Sequence, residues 1–257
     1  VAPRPQPESN QAPIVQRIRV RYAKRGPLRF TSHRDFARAF ERAVQRAGVP
    51  IAFSHGFTPH PRISYAGAAP TGAASEAEYL ELGLQARVDP DDLVKALDAA
   101  LSPGLDVLAA AESRGGNLVE RIDASLWRIE LPGIADDTLV AAVRAFEEAT
   151  EVPVRRLTKQ GWREFDARGA VVRITPVPTA SPVEGGTCAI LDLVVRQVTP
   201  SVRPDDVLSG LRVVADLELP VPPRATRLAQ GLLTAQGDLV DPLLADRDGT
   251  ANGAPPA

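Results

Sequence analysis

Methionine is absent from all 257 residues, cysteine occurs once, histidine three times, and aromatic residues make up only 5% of the chain. The single thiol, Cys188, excludes an internal disulfide, a zinc ribbon or an iron–sulfur cluster held by this chain's cysteines alone. No apolar run approaches the roughly 20 residues that cross a bilayer. The opening VAPRPQPESNQAP lacks the basic-then-apolar layout of a secretory leader, so a soluble, cytoplasmic protein with no membrane partner is expected. The missing initiator methionine reads as a processed or alternative start and carries no functional implication. A Walker loop, a paired-carboxylate motif and a nucleophile elbow are also missing. Conventional hydrolase or ATPase chemistry therefore has no basis here, and no residue is assigned a catalytic role.

Charge is present in abundance but unevenly spread. The formal net charge is −2, yet from Gln16 to Arg62 eleven Arg and Lys residues face only Asp35 and Glu41. Between Val88 and Glu151 the acids regain the majority, among them Asp89, Asp91, Asp92, Asp136 and Asp137. Charge of one sign gathered in one stretch points to a local anionic partner even when the whole chain is nearly neutral.

Periodicity divides the chain into two similar parts. QRIRVRYA alternates as a strand, with Ile18, Val20 and Tyr22 on one face and Arg17, Arg19 and Arg21 on the other. RDFARAFERAVQRAG carries Phe36, Phe40, Val44 and Ala47 at helical spacing, with Gly48 as a stop. VPIAFS is read as a short strand, RISYAGA and AEYLELGLQ as extended segments, PDDLVKALDAAL as a helix and LDVLAAAES as a strand. SLWRIELP, DDTLVAAVRAFEEAT, VVRITPV, CAILDLVVRQV, RPDDVLSGLRVVA and TRLAQGLL repeat the order strand, helix, strand, strand, helix, strand. The second helix of each part opens on Pro-Asp-Asp, with acids at the positive end of the helix dipole. The expected fold class is α+β, with two ferredoxin-like (βαββαβ) units in tandem. Their expected bounds are 15–122 and 123–235, with disordered tails over 1–14 and 236–257.

Three groups of residues are candidates for function. Arg34, Arg38, Arg42 and Arg46, each four residues from the next, form one stripe on the first helix. Like charges at that spacing destabilise an isolated helix by roughly 0.2–0.5 kcal/mol per pair, which phosphates would relieve; Asp35 and Glu41 are the alternative neutralisers. The second group is SHGFTPHPRIS, where Gly56 frees the backbone while Pro59 and Pro61 stiffen it around His60. Such a loop presents Phe57, His60 and Arg62 to a substrate or partner with little entropy left to lose. His33, preceding the first helix, is expected near the same end of the sheet, and His33, His55 and His60 together are weak candidates for a metal. In the second part, LTKQGWREFDAR combines Lys159, Arg163, Asp166 and Arg168 with Trp162 and Phe165, as a basic and aromatic nucleic-acid edge or as an amphipathic hairpin. An RNA-recognition sheet with stacking aromatics is not expected, because the first strand offers arginines instead.

The segment from Arg29 to Leu82 resembles the opening signature of a bacterial family, the radical-SAM-linked proteins or domain of unknown function DUF2344. The most specific parts are Phe30 through Asp35, Gly56-Phe57 with Pro59-His60-Pro61, and Glu78-Tyr79-Leu80; Thr158-Lys159 and Asp166 resemble its second half, and the likeness runs from about Arg17 to Leu233. Arg34 stands where the family more often has an apolar residue and His55 where it often has glutamine. Members occur free or joined to a radical SAM protein, so the resemblance implies such a protein as partner. The partner would supply the iron–sulfur cluster and S-adenosylmethionine, this chain binding no cofactor. The expected function is a noncatalytic accessory that binds RNA, tRNA or rRNA, or presents substrate for modification. Alternatives are an enzyme using His33 and His60 as acid–base groups or metal ligands, and a protein–protein adaptor.

Overall fold

The computed structural model describes residues 13–159, 161–178 and 187–248. Most of the expected N-terminal tail and the last nine residues of the C-terminal one lie outside these. The chain is α+β and divides into two compact units, one reaching to Glu120 and including the stretch from Pro242 onward, the other Arg121–Asp241. Among the described residues no helix is long and apolar enough to cross a membrane.

In the first unit β1 (Gln16–Lys24) is followed by α1 (His33–Arg46), β2 (Ile63–Ala66), β3 (Ala74–Leu84), α2 (Pro90–Ala100) and β4 (Leu105–Glu112). Strand β1 lies between β4 and β3, and β2 pairs with the other edge of β3, all antiparallel. The register sets Ile18, Val20 and Tyr22 in one core with Phe36, Phe40 and Val44 of α1, Leu80, Leu82 and Leu84 of β3, and Leu93 and Leu97 of α2. Period-2 and period-3.6 stripes thus meet as the sequence requires. Helix α1 starts at Ser32, whose hydroxyl accepts the Asp35 N–H at 3.2 Å, and ends before Gly48 at φ +64°. Helix α2 starts at Asp89, which accepts the N–H groups of Asp91 and Asp92. VPIAFS contributes only two isolated bridges, Ile51 with Leu84 and Phe53 with Pro61, rather than a strand.

The second unit holds β5 (Ala124–Pro132), α3 (Asp136–Glu148), β6 (Pro153–Thr158), β7 (Gly161–Asp166), β8 (Val171–Val177), β9 (Cys188–Arg196), α4 (Pro204–Ala215), β10 (Arg224–Leu233) and β11 (Leu239–Val240). Its strands run β10-β5-β9-β8, antiparallel, with β11 on β10, while β6 and β7 make a separate two-stranded ribbon. Residues 236–248, expected within a tail, instead carry β11 and the short helix α5 (Leu244–Arg247). The reason is chemical, since α5 supplies Asp246, whose side chain is wholly buried.

Candidate nucleic-acid interface

Several cations of the first unit are paired with its own acids. Arg17 and Arg19 share Glu81, Arg25 bridges Glu76 and Asp106, Arg87 meets Glu112, and Lys95 meets Asp92. Arg21 donates to the Glu76 carbonyl at 2.9 Å. The face of β1 away from α1 is therefore not a basic patch, although the alternation does put the arginines there. Arg19 goes furthest from expectation: it is 0% exposed and donates to Glu81 at 3.0 Å, to Asp246 at 2.9 Å and to the carbonyls of Gly115 and Gly116.

Helix α1 is different. Arg34, Arg38 and Arg42 are exposed, and none of them has a hydrogen-bond or ion-pair partner among the described residues. Neither expected neutraliser reaches them. Asp35 turns back to the cap, accepting the Ser32 hydroxyl at 2.7 Å. Glu41 instead bears on Tyr65: burial first, and the Glu41 charge second, push the Tyr65 phenol well above its ordinary range. Arg46 leaves the stripe, since its guanidinium donates to the Ala100 carbonyl at the end of α2. The stripe is thus three arginines long. At its N-terminal end the exposed Phe30 carries the Arg29 guanidinium 4.7 Å from its ring centroid, a cation on an aromatic face.

The histidines do not assemble. His33 sits on the α1 side of the sheet with its ring edge-on to Tyr65 at 4.9 Å. The loop from Ser54 to His60 is closed at its base, where Ser54 N–H donates to the His60 carbonyl at 2.8 Å and His60 N–H to the Ser54 hydroxyl at 2.9 Å. Gly56 at φ +123° makes the turn, and Phe57 at the tip is 84% exposed. Arg62 lies beside Gly83, between core-facing Leu82 and Leu84, and a Cβ on Gly83 would stand 3.2 Å from that of Arg62. Alternation therefore puts Arg62 on the face away from α1 and His33, so those two do not share a site. Among the described residues no three of His, Cys, Asp and Glu gather as a metal site would need; the set His33, His55 and His60 is not brought together as one.

In the second unit the stretch LTKQGWREFDAR folds as the hairpin β6–β7, with Leu157 directly opposite Trp162. Lys159 is exposed at its turn. Asp166 is a structural group: its carboxylate accepts the N–H groups of Val152, Arg168 and Gly169 at 2.8–2.9 Å. Burial raises its pKa, but these three donors and the Arg168 charge outweigh it, and the net direction is downward. A lowered carboxyl contributes stability above its unfolded value of about 3.9 and loses it as the pH falls through the folded value. Asp166→Ala is expected to cost about 1–2 kcal/mol at pH 7, by the measure of a lost cap. In urea titrations that difference from the parent protein should shrink as the pH is lowered below about 4; a gap that stays constant would contradict the assignment.

No curated protein matches the chain. Among solved structures, an unknown protein from Galdieria sulphuraria is 13% identical, with 82% of this chain and 98% of that one covered and a TM-score of 0.22. The encapsulated DyP-type peroxidase of Mycobacterium smegmatis is 11% identical, with 90% and 94% covered and a TM-score of 0.20. Likenesses this loose carry no argument about this chain. The family described as an uncharacterized protein conserved in bacteria (DUF2344) matches residues 17–204, most of the chain including α1, the Phe57 loop and the ribbon, and the protein belongs to that family.

Proposed function

We propose that the protein is a noncatalytic accessory that binds RNA, a tRNA or rRNA, for modification by a radical SAM enzyme. The observation that carries the reading is the contrast on the first unit: Arg17, Arg19, Arg25 and Arg87 are all paired with acids, while Arg34, Arg38 and Arg42 point unpaired into solvent along one helix face. A row of unpaired guanidiniums matches a row of phosphates, which they bind in bidentate, always-charged geometry. The radical SAM partner rests on the family resemblance. It agrees with the lone Cys188, because the enzyme's cluster needs three thiolates that this chain does not have. The iron–sulfur cluster and S-adenosylmethionine accordingly belong to the partner, and an RNA partner goes with a cytoplasmic setting. Tandem ferredoxin-like units are the fold reading we adopt. The strand orders β4-β1-β3-β2 and β10-β5-β9-β8, each with a helix after its first and third strands, support it.

Fluorescence anisotropy of the purified chain with total tRNA and with a length-matched duplex DNA, over a salt series, tests the reading. Preferential binding of tRNA that weakens steeply with salt is expected, because each phosphate contact releases counterions. Arg38→Ala with Arg42→Ala should lower the slope of log K against log salt by about 1.4–1.8, at 0.7–0.9 per contact. An unchanged slope would remove α1 from the interface. Absence of binding to either nucleic acid at physiological salt would end the RNA reading.

A further inference from the structure

The β6–β7 ribbon is anchored at its base and open at its tip. Val154 is buried, and Arg156 donates to Asp206 at 2.6 Å and to the Ser201 carbonyl at 3.1 Å while lying 4.9 Å over the Phe165 ring. On the opposite face the register sets Arg155, Leu157, Trp162 and Glu164 together. Leu157 and Trp162, directly across from each other, are each 65% exposed, an apolar pair left in water near the tip of the ribbon. The Arg155 guanidinium stands 5.4 Å from the indole centroid. Lys159 at the turn has no partner among the described residues, and Glu164 meets Arg155 only at 3.9 Å; Arg163 lies across from Arg156 on the other face. The tip is an aromatic plate flanked by two cations, Arg155 and Lys159, and one acid, Glu164.

That combination selects among partners. The core of a protein interface is depleted of charge and of lysine in particular, whereas a plate flanked by cations suits a ligand that alternates π faces with phosphates. Inside a duplex each base already has both faces stacked, so an indole reaches only an unstacked one. We propose that the β6–β7 tip is a single-stranded nucleic-acid contact, with one base stacked on Trp162 and the flanking phosphates held by Arg155 and Lys159. The proposal rests on the RNA reading above and narrows it to an unpaired segment, a loop or an end.

Trp127 is only 6% exposed, so emission of the solvent-exposed kind belongs to Trp162. The full-length protein is titrated with oligouridine of about 12 nucleotides, within the footprints of such sites, and with an RNA duplex of the same length. The strand should quench Trp162 and the duplex should not. Trp162→Ala should weaken strand binding by about 5- to 150-fold, the range for one lost base stack, while Trp162→Phe keeps most of the affinity. Trp162→Ala binding within about twofold of the parent, or equal quenching by the duplex, would overturn the proposal. A change of oligomeric state in Trp162→Ala with RNA affinity intact would assign the plate to a protein contact instead, and so also overturn it. The two nucleic-acid sites fail separately: Arg38→Ala with Arg42→Ala reads the helix through the salt slope, and Trp162→Ala reads the ribbon through strand affinity and quenching.

Discussion

Arg19→Ala is expected to destabilise the protein by about 3–5 kcal/mol, the usual consequence of removing one partner of a buried ion pair. The guanidinium and the Asp246 carboxylate are both 0% exposed, and Asp246, which also accepts the Arg114 N–H at 2.9 Å, would be left in the interior without this counterion. The carbonyls of Gly115 and Gly116 would lose their donor as well. Arg17→Ala provides the control one turn of the pleat away. Arg17 touches the same Glu81 with its side chain 52% exposed, and an exposed pair contributes about 0–1 kcal/mol. Urea titrations followed by far-UV circular dichroism should separate the two variants clearly. If Arg19→Ala fell within about 1 kcal/mol of Arg17→Ala, the buried network would carry no net stability. Asp246→Ala should fall between them, because Arg19 retains Glu81 and two carbonyls.

The same network shows where the sequence could be read and where it could not. Local periodicity is sufficient for α1, because Phe36, Phe40 and Val44 recur at helical spacing and Ser32 and Gly48 mark its ends. It suffices for β1, β3 and the Pro-Asp-Asp helices for the same reason. The arginine stripe could be listed from spacing too, but not its true length, since Arg46 is withdrawn by a carbonyl 54 residues away. Arg19 is the harder case. Alternation assigns it to the face of β1 away from α1, and nothing local says that Asp246, 227 residues on, will cover it. The stretch DPLLADRD falls within the expected tail, yet it buries Leu243 and sets Asp246 against that buried cation, which needs an acid. Asp166 was visible as a polar residue at the end of a basic and aromatic strand. Its work as an acceptor for three backbone N–H groups depends on a turn geometry that composition does not specify. The functional candidates separate accordingly, with unpaired cations and exposed aromatics kept, and polar groups that the fold itself uses removed.

Gly210→Val is expected to cost about 3 kcal/mol, the upper end of what overpacking a filled core costs. Gly210 lies within α4, where a helix would ordinarily prefer alanine by about 1 kcal/mol. The preference is overridden by proximity: a Cβ there would stand 2.9 Å from the Phe146 ring of α3 and 2.9 Å from a methyl of Val152. Both are 0% exposed, so neither can move aside into solvent. Alanine brings the same Cβ into those contacts but no further carbons, and its gain in helix propensity offsets about 1 kcal/mol, so it should cost less than valine. The consequence reaches the ribbon. Val152 precedes β6 and gives its N–H to Asp166, and α4 supplies the Asp206 that holds Arg156. Pushing α4 away from Val152 should therefore loosen the base of β6–β7 as well as destabilise the second unit. In thermal and urea unfolding the valine variant should fall well below the alanine variant. At temperatures where the valine variant remains folded, strand-induced quenching of Trp162 should weaken, whereas the Arg38 and Arg42 salt slope should stay as it is. Valine tolerated at little cost would show that α3 and α4 can separate without penalty, and that the close approach at Gly210 does not set the position of the ribbon.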